Sequence, residues 1–153
     1  MSLKEILSAD IHLREHEEKN DTTYEKIKQH IKHFEDKEIN IQWRSLLTEV
    51  AYWRKANQIH NWFVVHVSNG LDECGTYEIT KESIQELHNL CIRILSKKIP
   101  PQKVLPTKSG FYFGSTDYDH FYFYEIKRTA SIFEEILKNL PFDTHYLVYN
   151  FSW

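Results

Sequence analysis

Between Asp119 and Pro141 the inward-facing residues return every three or four positions: Tyr122, Ile126, Thr129, Phe133, Ile136 or Leu137, and Leu140. An α-helix turns once in 3.6 residues, so this spacing draws one stripe along a helix. Asp117 or Asp119 can cap its start, and Pro141 cannot continue it. Residues 81–96 repeat the pattern, with Thr80 as cap and Ile84, Leu87, Leu90, Cys91, Ile94 and Leu95 facing inward. "IPPQKVLP" then stops that helix. Two amphipathic helices need an apolar surface to lie against. The tail "THYLVYNFSW" offers one, because Leu147, Tyr149, Phe151 and Trp153 share one face of a strand.

Upstream, Thr22 or Thr23 can cap a helix to about residue 34, with Tyr24, Ile27, Ile31 and Phe34 in its stripe. A short helix fits residues 3–7, "DIHLRE" fits an edge strand, and "KEINIQW" fits a short strand or a linker. The stretch from Trp43 to Val67 reads as a long central helix ended by Asn69-Gly70. Only four Gly and four Pro occur in 153 residues, which favours regular elements over loops. The expected fold is α+β, mainly α. About four helices pack around a long central helix, with a few short strands including a C-terminal one. Residues 1–45 form a helical, charged N-terminal extension, 46–140 the helical core, and 141–153 the C-terminal strand of a single globular domain.

The net charge of −3 argues against a direct nucleic-acid binder, which would carry a basic excess. Cys74 and Cys91 are too few for a disulfide framework and read as reduced thiols. The N-terminal residues lack the apolar run of a signal peptide, and no window is long and apolar enough to span a bilayer. A soluble cytoplasmic protein with no membrane partner is expected. Nine Phe, nine Tyr and four Trp leave room for a homodimer.

Two stretches carry candidate chemistry. In "EVAYWRKANQIHNWFVVHV", a helical wheel collects Trp53, Arg54, Asn57, His60 and Asn61 on one side, opposite Ala56, Ile59, Phe63 and Val67. Lys55 and Trp62 fall on a third side. Arginine offers a fork of donors for phosphate or carboxylate, asparagine reads polar edges, and indole stacks. In "PTKSGFYFGSTDYD", Lys108, Ser109, Gly110, Gly114, Ser115, Thr116, Tyr118 and Asp119 lead into a helix N-terminus, where free amides favour anions. Each stretch also has a structural reading: Arg54 paired with an acid, Asn57 and Asn61 bonded to backbone, His60 satisfied in the core, and the second segment a turn with an Asp cap. Phe111-Tyr112-Phe113 reads as core packing. No metal-ligand spacing, cofactor fingerprint or catalytic motif is present, so no metal, cofactor or catalytic residue is assigned.

From Thr48 to Leu137 the chain resembles a widespread family of small, mostly uncharacterised bacteriophage proteins. Their pattern is a YWRKAN-x-IH-x-WF helix followed by LPT-x-SGFFFGST-x-YD. The motif residues fall on Tyr52, Trp53, Arg54, Lys55, Asn57, His60 and Trp62, and then on Ser109, Gly110, Gly114, Ser115, Thr116, Tyr118 and Asp119. The chain departs from the pattern at Tyr112, and Lys108 occupies a variable position. The resemblance implies a phage protein acting in the host-cell cytoplasm.

The leading expectation is therefore a non-catalytic counter-defence protein that sequesters an anionic, nucleotide-like small molecule. Arg54 and Lys55 would meet phosphate, Ser109, Ser115 and Thr116 would complete the anion site, Asn57 and His60 would read polar edges, and Trp53 would stack. One alternative is a protein-binding inhibitor of a host defence enzyme such as a CRISPR nuclease. Another is a nucleotide-processing enzyme.

Overall fold

The computed structural model describes residues 4–11, 26 and 46–152. β1 (Lys4–Ile11) lies between β2 (Leu46–Arg54) and β4 (Tyr146–Ser152), and β3 (Thr76–Ile79) pairs with the far side of β4. Every pairing is antiparallel, and Leu7 sits opposite Ala51 on one side and Tyr149 on the other. The β1–β2 register slips after Leu7, where Ser8 meets Glu49, and Val50 is passed over. Such a bulge bends the strand and sharpens its twist. The helices are α1 (Asn57–His66), α2 (Lys81–Leu95), α3 (Pro101–Val104) and α4 (His120–Asn139). The fold is α+β and mainly α, with a C-terminal strand.

The two amphipathic helices form where the spacing predicts them. Thr80 accepts a hydrogen bond from the Ser83 amide at the start of α2, and Asp119 accepts one from the Tyr122 amide at the start of α4. Tyr122, Ile126, Thr129, Phe133 and Ile136 are all buried. They meet Leu87, Cys91 and Ile94 of α2, and Leu147, Tyr149 and Phe151 from the inner face of β4. Each large apolar side chain sealed in this layer contributes about 1.5–3 kcal/mol. Cys91 is part of the core, and burial pushes its thiol up to about 12, which makes it inert. Cys74 is exposed and free.

The expected long helix is instead a strand and a helix. "VAYW" is a continuous apolar run, and such a run satisfies both periods. In the fold it alternates: Ala51 and Trp53 are buried, while Val50 and Tyr52 are half-buried on the opposite face. The longest described helix is α4. Residues 4–11 are a strand inside the sheet, where a short helix is expected over residues 3–7; of "DIHLRE", Asp10 and Ile11 close this strand and the rest lies outside the described residues. β3 and α3 carry too few residues for a periodic signal. The helix expected over 22–34 lies outside the described residues except for Lys26, which is helical and exposed. "KEINIQW" and Trp153 also lie outside them. No described helix is long and apolar enough to cross a membrane.

Candidate functional site

β2 leaves the sheet through an elbow. Lys55 takes φ +65°, a left-handed conformation that costs a non-glycine residue about 1 kcal/mol, and Ala56 then opens α1. Among the described residues, no side chain caps this helix. Its first backbone bonds run from the Ile59 and His60 amides to the Ala56 carbonyl. The amides of Asn57 and Gln58 lie in the first turn, where a helix has no partners of its own to offer. Beside them is a cleft of about 270 Å³. Arg54, Lys55, Asn57 and Gln58 line one part of it. Gly114, Ser115, Asp117, Asp119, Phe121 and Glu125 line another.

The charges of this cleft differ from end to end. Two cations and a helix N-terminus, with its partial positive charge, stand at the elbow. Three carboxylates stand on the segment leading into and along α4. Asp117 is held by the Ser115 hydroxyl at 3.1 Å, and one oxygen of Asp119 caps α4. Burial raises the Glu125 carboxyl above its ordinary value, and the Arg128 guanidinium 3.4 Å away only partly opposes this.

Asn57 is almost wholly buried and fixes the second motif. Its side-chain nitrogen donates to the Phe113 carbonyl at 3.0 Å and to the Ser115 carbonyl at 2.8 Å. Its oxygen accepts the Lys108 amide at 2.9 Å. One amide thus closes three backbone groups of a loop that has no strand or helix partner to satisfy them. Thr107 adds two ties, its amide to the Tyr118 hydroxyl and its hydroxyl to the Thr116 carbonyl. The Tyr122 hydroxyl donates to the Leu105 carbonyl at 2.8 Å and anchors the start of the loop to α4. Gly114 takes φ +89°, and a Cβ there would come within 3.1 Å of the Lys55 Cβ. The two left-handed positions therefore lie side by side. A Cβ on Gly110 would strike the Phe113 ring at 2.7 Å.

His60 turns away from the cleft. It is fully buried, edge-on to Phe113 and Phe151. Its Nδ1 lies 2.9 Å from the Tyr149 hydroxyl and its Nε2 2.9 Å from Asp72 Oδ1. The second Asp72 oxygen holds Lys108 Nζ at 2.8 Å. A neutral ring satisfies both neighbours, with Nε2–H donating to Asp72 and Nδ1 accepting from Tyr149. Burial is the largest influence on His60 and lowers its affinity for a proton, against the pull of Asp72. Burial alone would raise the Asp72 carboxyl, but hydrogen bonds from Lys108 and His60 outweigh it and hold the group below its ordinary value.

The structure thus divides the residues that the sequence put together. Arg54, Lys55, Asn57, Gly114, Ser115 and Asp119 meet at the cleft. Trp53 does not, because it belongs to β2. Its indole is wholly buried against Phe133 and donates to the Thr129 hydroxyl at 2.9 Å, so it offers no stacking surface. His60 is sealed in the core and reads no ligand edge from there. Asn61 is half-buried on the next turn and, like Ser109, Gly110, Thr116 and Tyr118, stands outside the cleft lining. Of the aromatic run, Phe113 is buried, Tyr112 is half-buried and Phe111 is 95% exposed.

Sequence reasoning missed Tyr149, Gln58 and Glu125. Tyr149 carries only the periodicity of its strand face, and Gln58 is the neighbour of Asn57 in the same stretch. Glu125 follows the Asp119 cap on the same helix, and that spacing was an available signal. Searches of family models, curated proteins and solved structures find no match to the chain.

Proposed function

We propose that this chain is a phage-encoded, non-catalytic counter-defence protein that binds and sequesters an anionic, nucleotide-like small molecule in the cleft at the Lys55 elbow. The observation that carries the ligand class is the meeting of Arg54, Lys55 and the uncapped start of α1 on one cleft. Guanidinium, ammonium and helix N-terminal amides are the groups that hold phosphate. Across the cleft, Asp119 and Glu125 are acceptors for the amino and imino donors of a nucleobase, and Phe121 offers a ring face. The volume of about 270 Å³ lies just below the range of drug-sized pockets, about 300–1,000 Å³, and suits one nucleotide unit.

One placement favours holding over turnover: His60 is shut in the core and presents no base to the cleft. The phage origin, the host-cell cytoplasm and the counter-defence role rest on the resemblance of Thr48 to Leu137. A thermal-shift panel of nucleoside phosphates and cyclic nucleotides tests the reading. At least one should raise the melting temperature of the wild type and not of Arg54→Ala, and chromatography should recover it intact. A flat panel, or a converted nucleotide, would count against it.

A second reading has its own observation. Phe111 and Phe121 are 95% and 74% exposed, and large exposed aromatics are typical anchors of protein interfaces. They favour an inhibitor that docks on a host defence enzyme. Phe111→Ser should then weaken that docking while leaving nucleotide binding unchanged, since Phe111 lies outside the cleft lining.

A further inference from the structure

From Glu86 to Asp117 the chain carries Arg93, Lys97, Lys98, Lys103 and Lys108, with no carboxylate between those two acids. This is an island of positive charge in a chain of net charge −3. Lys108 is spoken for by Asp72. Among the described residues, Arg93, Lys97, Lys98 and Lys103 enter no ion pair, and all four are exposed. They surround the end of α2 and the start of α3.

A groove of about 540 Å³ opens at the same place. Leu95, Ile99, Pro100 and Phe123 give it an apolar lining, and Lys97 and Lys98 stand on it as well. Leu95 and Phe123 are partly exposed large hydrophobics. The negative end of the α2 dipole gives a reason for cations here, but it gives none for an apolar floor beside them. Lys97 adds an independent mark. It takes φ +56° just after the α2 cap, the position where glycine is the usual and less strained choice. A long cationic side chain is thus held at a backbone site that disfavours any side chain, by about 1 kcal/mol.

The geometry points to a second binding site, separate from the cleft, for an acidic amphipathic peptide segment of another protein. Its apolar side chains would enter between Leu95, Ile99 and Phe123, and its carboxylates would meet Lys97 and Lys98. This is the pattern of a helix or extended peptide laid into an apolar groove with charges at the rim. A concave site suits an inserted side chain better than a bilayer surface, which is met by a protruding apolar face. Nucleic acid would use the cations and leave the Leu95–Ile99 floor without a role.

Fluorescence anisotropy with the full chain tests this. The probe is a short labelled peptide in which Glu and Asp flank Leu and Phe. Its controls are the same peptide with Lys for the acids, and with Ser for Leu and Phe. Vesicles of phosphatidylserine in phosphatidylcholine and a labelled thymidine oligonucleotide run beside it. The acidic apolar peptide should bind at least about tenfold more tightly than either control peptide, and added salt should weaken it. The double variant Lys97→Glu, Lys98→Glu should lose at least about tenfold in affinity, Phe123→Ser should weaken it too, and Arg54→Ala should not. Equal binding of the controls, no binding of the acidic peptide, or tighter binding of vesicles or oligonucleotide would overturn the proposal.

Discussion

Arg54 and His60 belong to one polar stretch of sequence, and the elbow at Lys55 sends them to opposite sides. Arg54 ends a strand and stays exposed on a cleft of mixed charge. His60 lies one turn into α1, in the fold's interior, with a tyrosine on one ring nitrogen and an aspartate on the other. Asn57 stands between the two settings. It lines the cleft, yet its side-chain amide bonds to loop backbone. The difference shows how little residue type says about a job. Polar groups on the inner side hold the loop in shape, and those on the outer side face the cleft.

Breaking the inner side should have the largest effect. Asn57→Ala leaves the Phe113 and Ser115 carbonyls and the Lys108 amide without their partner. At about 1 kcal/mol for each bond lost, stability should fall by roughly 3 kcal/mol. Chemical denaturation reads this, and faster amide exchange in residues 107–116 would locate it. Breaking the outer side should separate binding from stability. Arg54→Ala should cost less stability than Asn57→Ala, because Arg54 is exposed and Asn57 is almost wholly buried. It should weaken nucleotide binding by roughly 1.5–3 kcal/mol, the range for a charged hydrogen bond.

Lys55 sharpens the comparison because its two effects have opposite signs. Lys55→Gly removes the left-handed strain and should stabilise the chain by about 1 kcal/mol, while removing a cation from the cleft should weaken binding. A melting curve and a binding isotherm on the same sample would show both.

How much of this could be read beforehand follows from the same residues. α2, α4 and β4 were legible because each repeats its period several times between clear stops, Thr80 and Asp119 at the starts and Pro141 at an end. β2 was not, because "VAYW" satisfies a strand and a helix equally, and its pairing with β1 is a contact between distant parts of the chain. That single ambiguity put Trp53 on the wrong surface. Arg54, Lys55 and the SGFYFGST segment were legible as candidates from chemistry alone. Their meeting through Asn57 was not, since it needs the loop's carbonyls, and these leave no mark on side-chain spacing.

The smallest expected effect concerns pH. Burial keeps His60 neutral in the fold, whereas the unfolded chain takes up that proton near 6.5. On acidification the unfolded state therefore binds the proton first, so stability should decline as pH falls below about 6.5. Asp72 works lower down. Its folded carboxyl titrates below its ordinary 3.8, so its contribution is present above that value and lost as pH falls through the folded one. His60→Gln should remove the upper decline and keep the lower one in denaturation curves taken across this range.

The most direct test of the cleft is native mass spectrometry of wild type and Arg54→Ala purified in parallel from defence-carrying, phage-infected cells. The account predicts a nucleotide-sized added mass at fixed stoichiometry on the wild type, released intact by heat, and its loss from an Arg54→Ala protein that still folds. An empty wild type, or the same mass on both proteins, would contradict it.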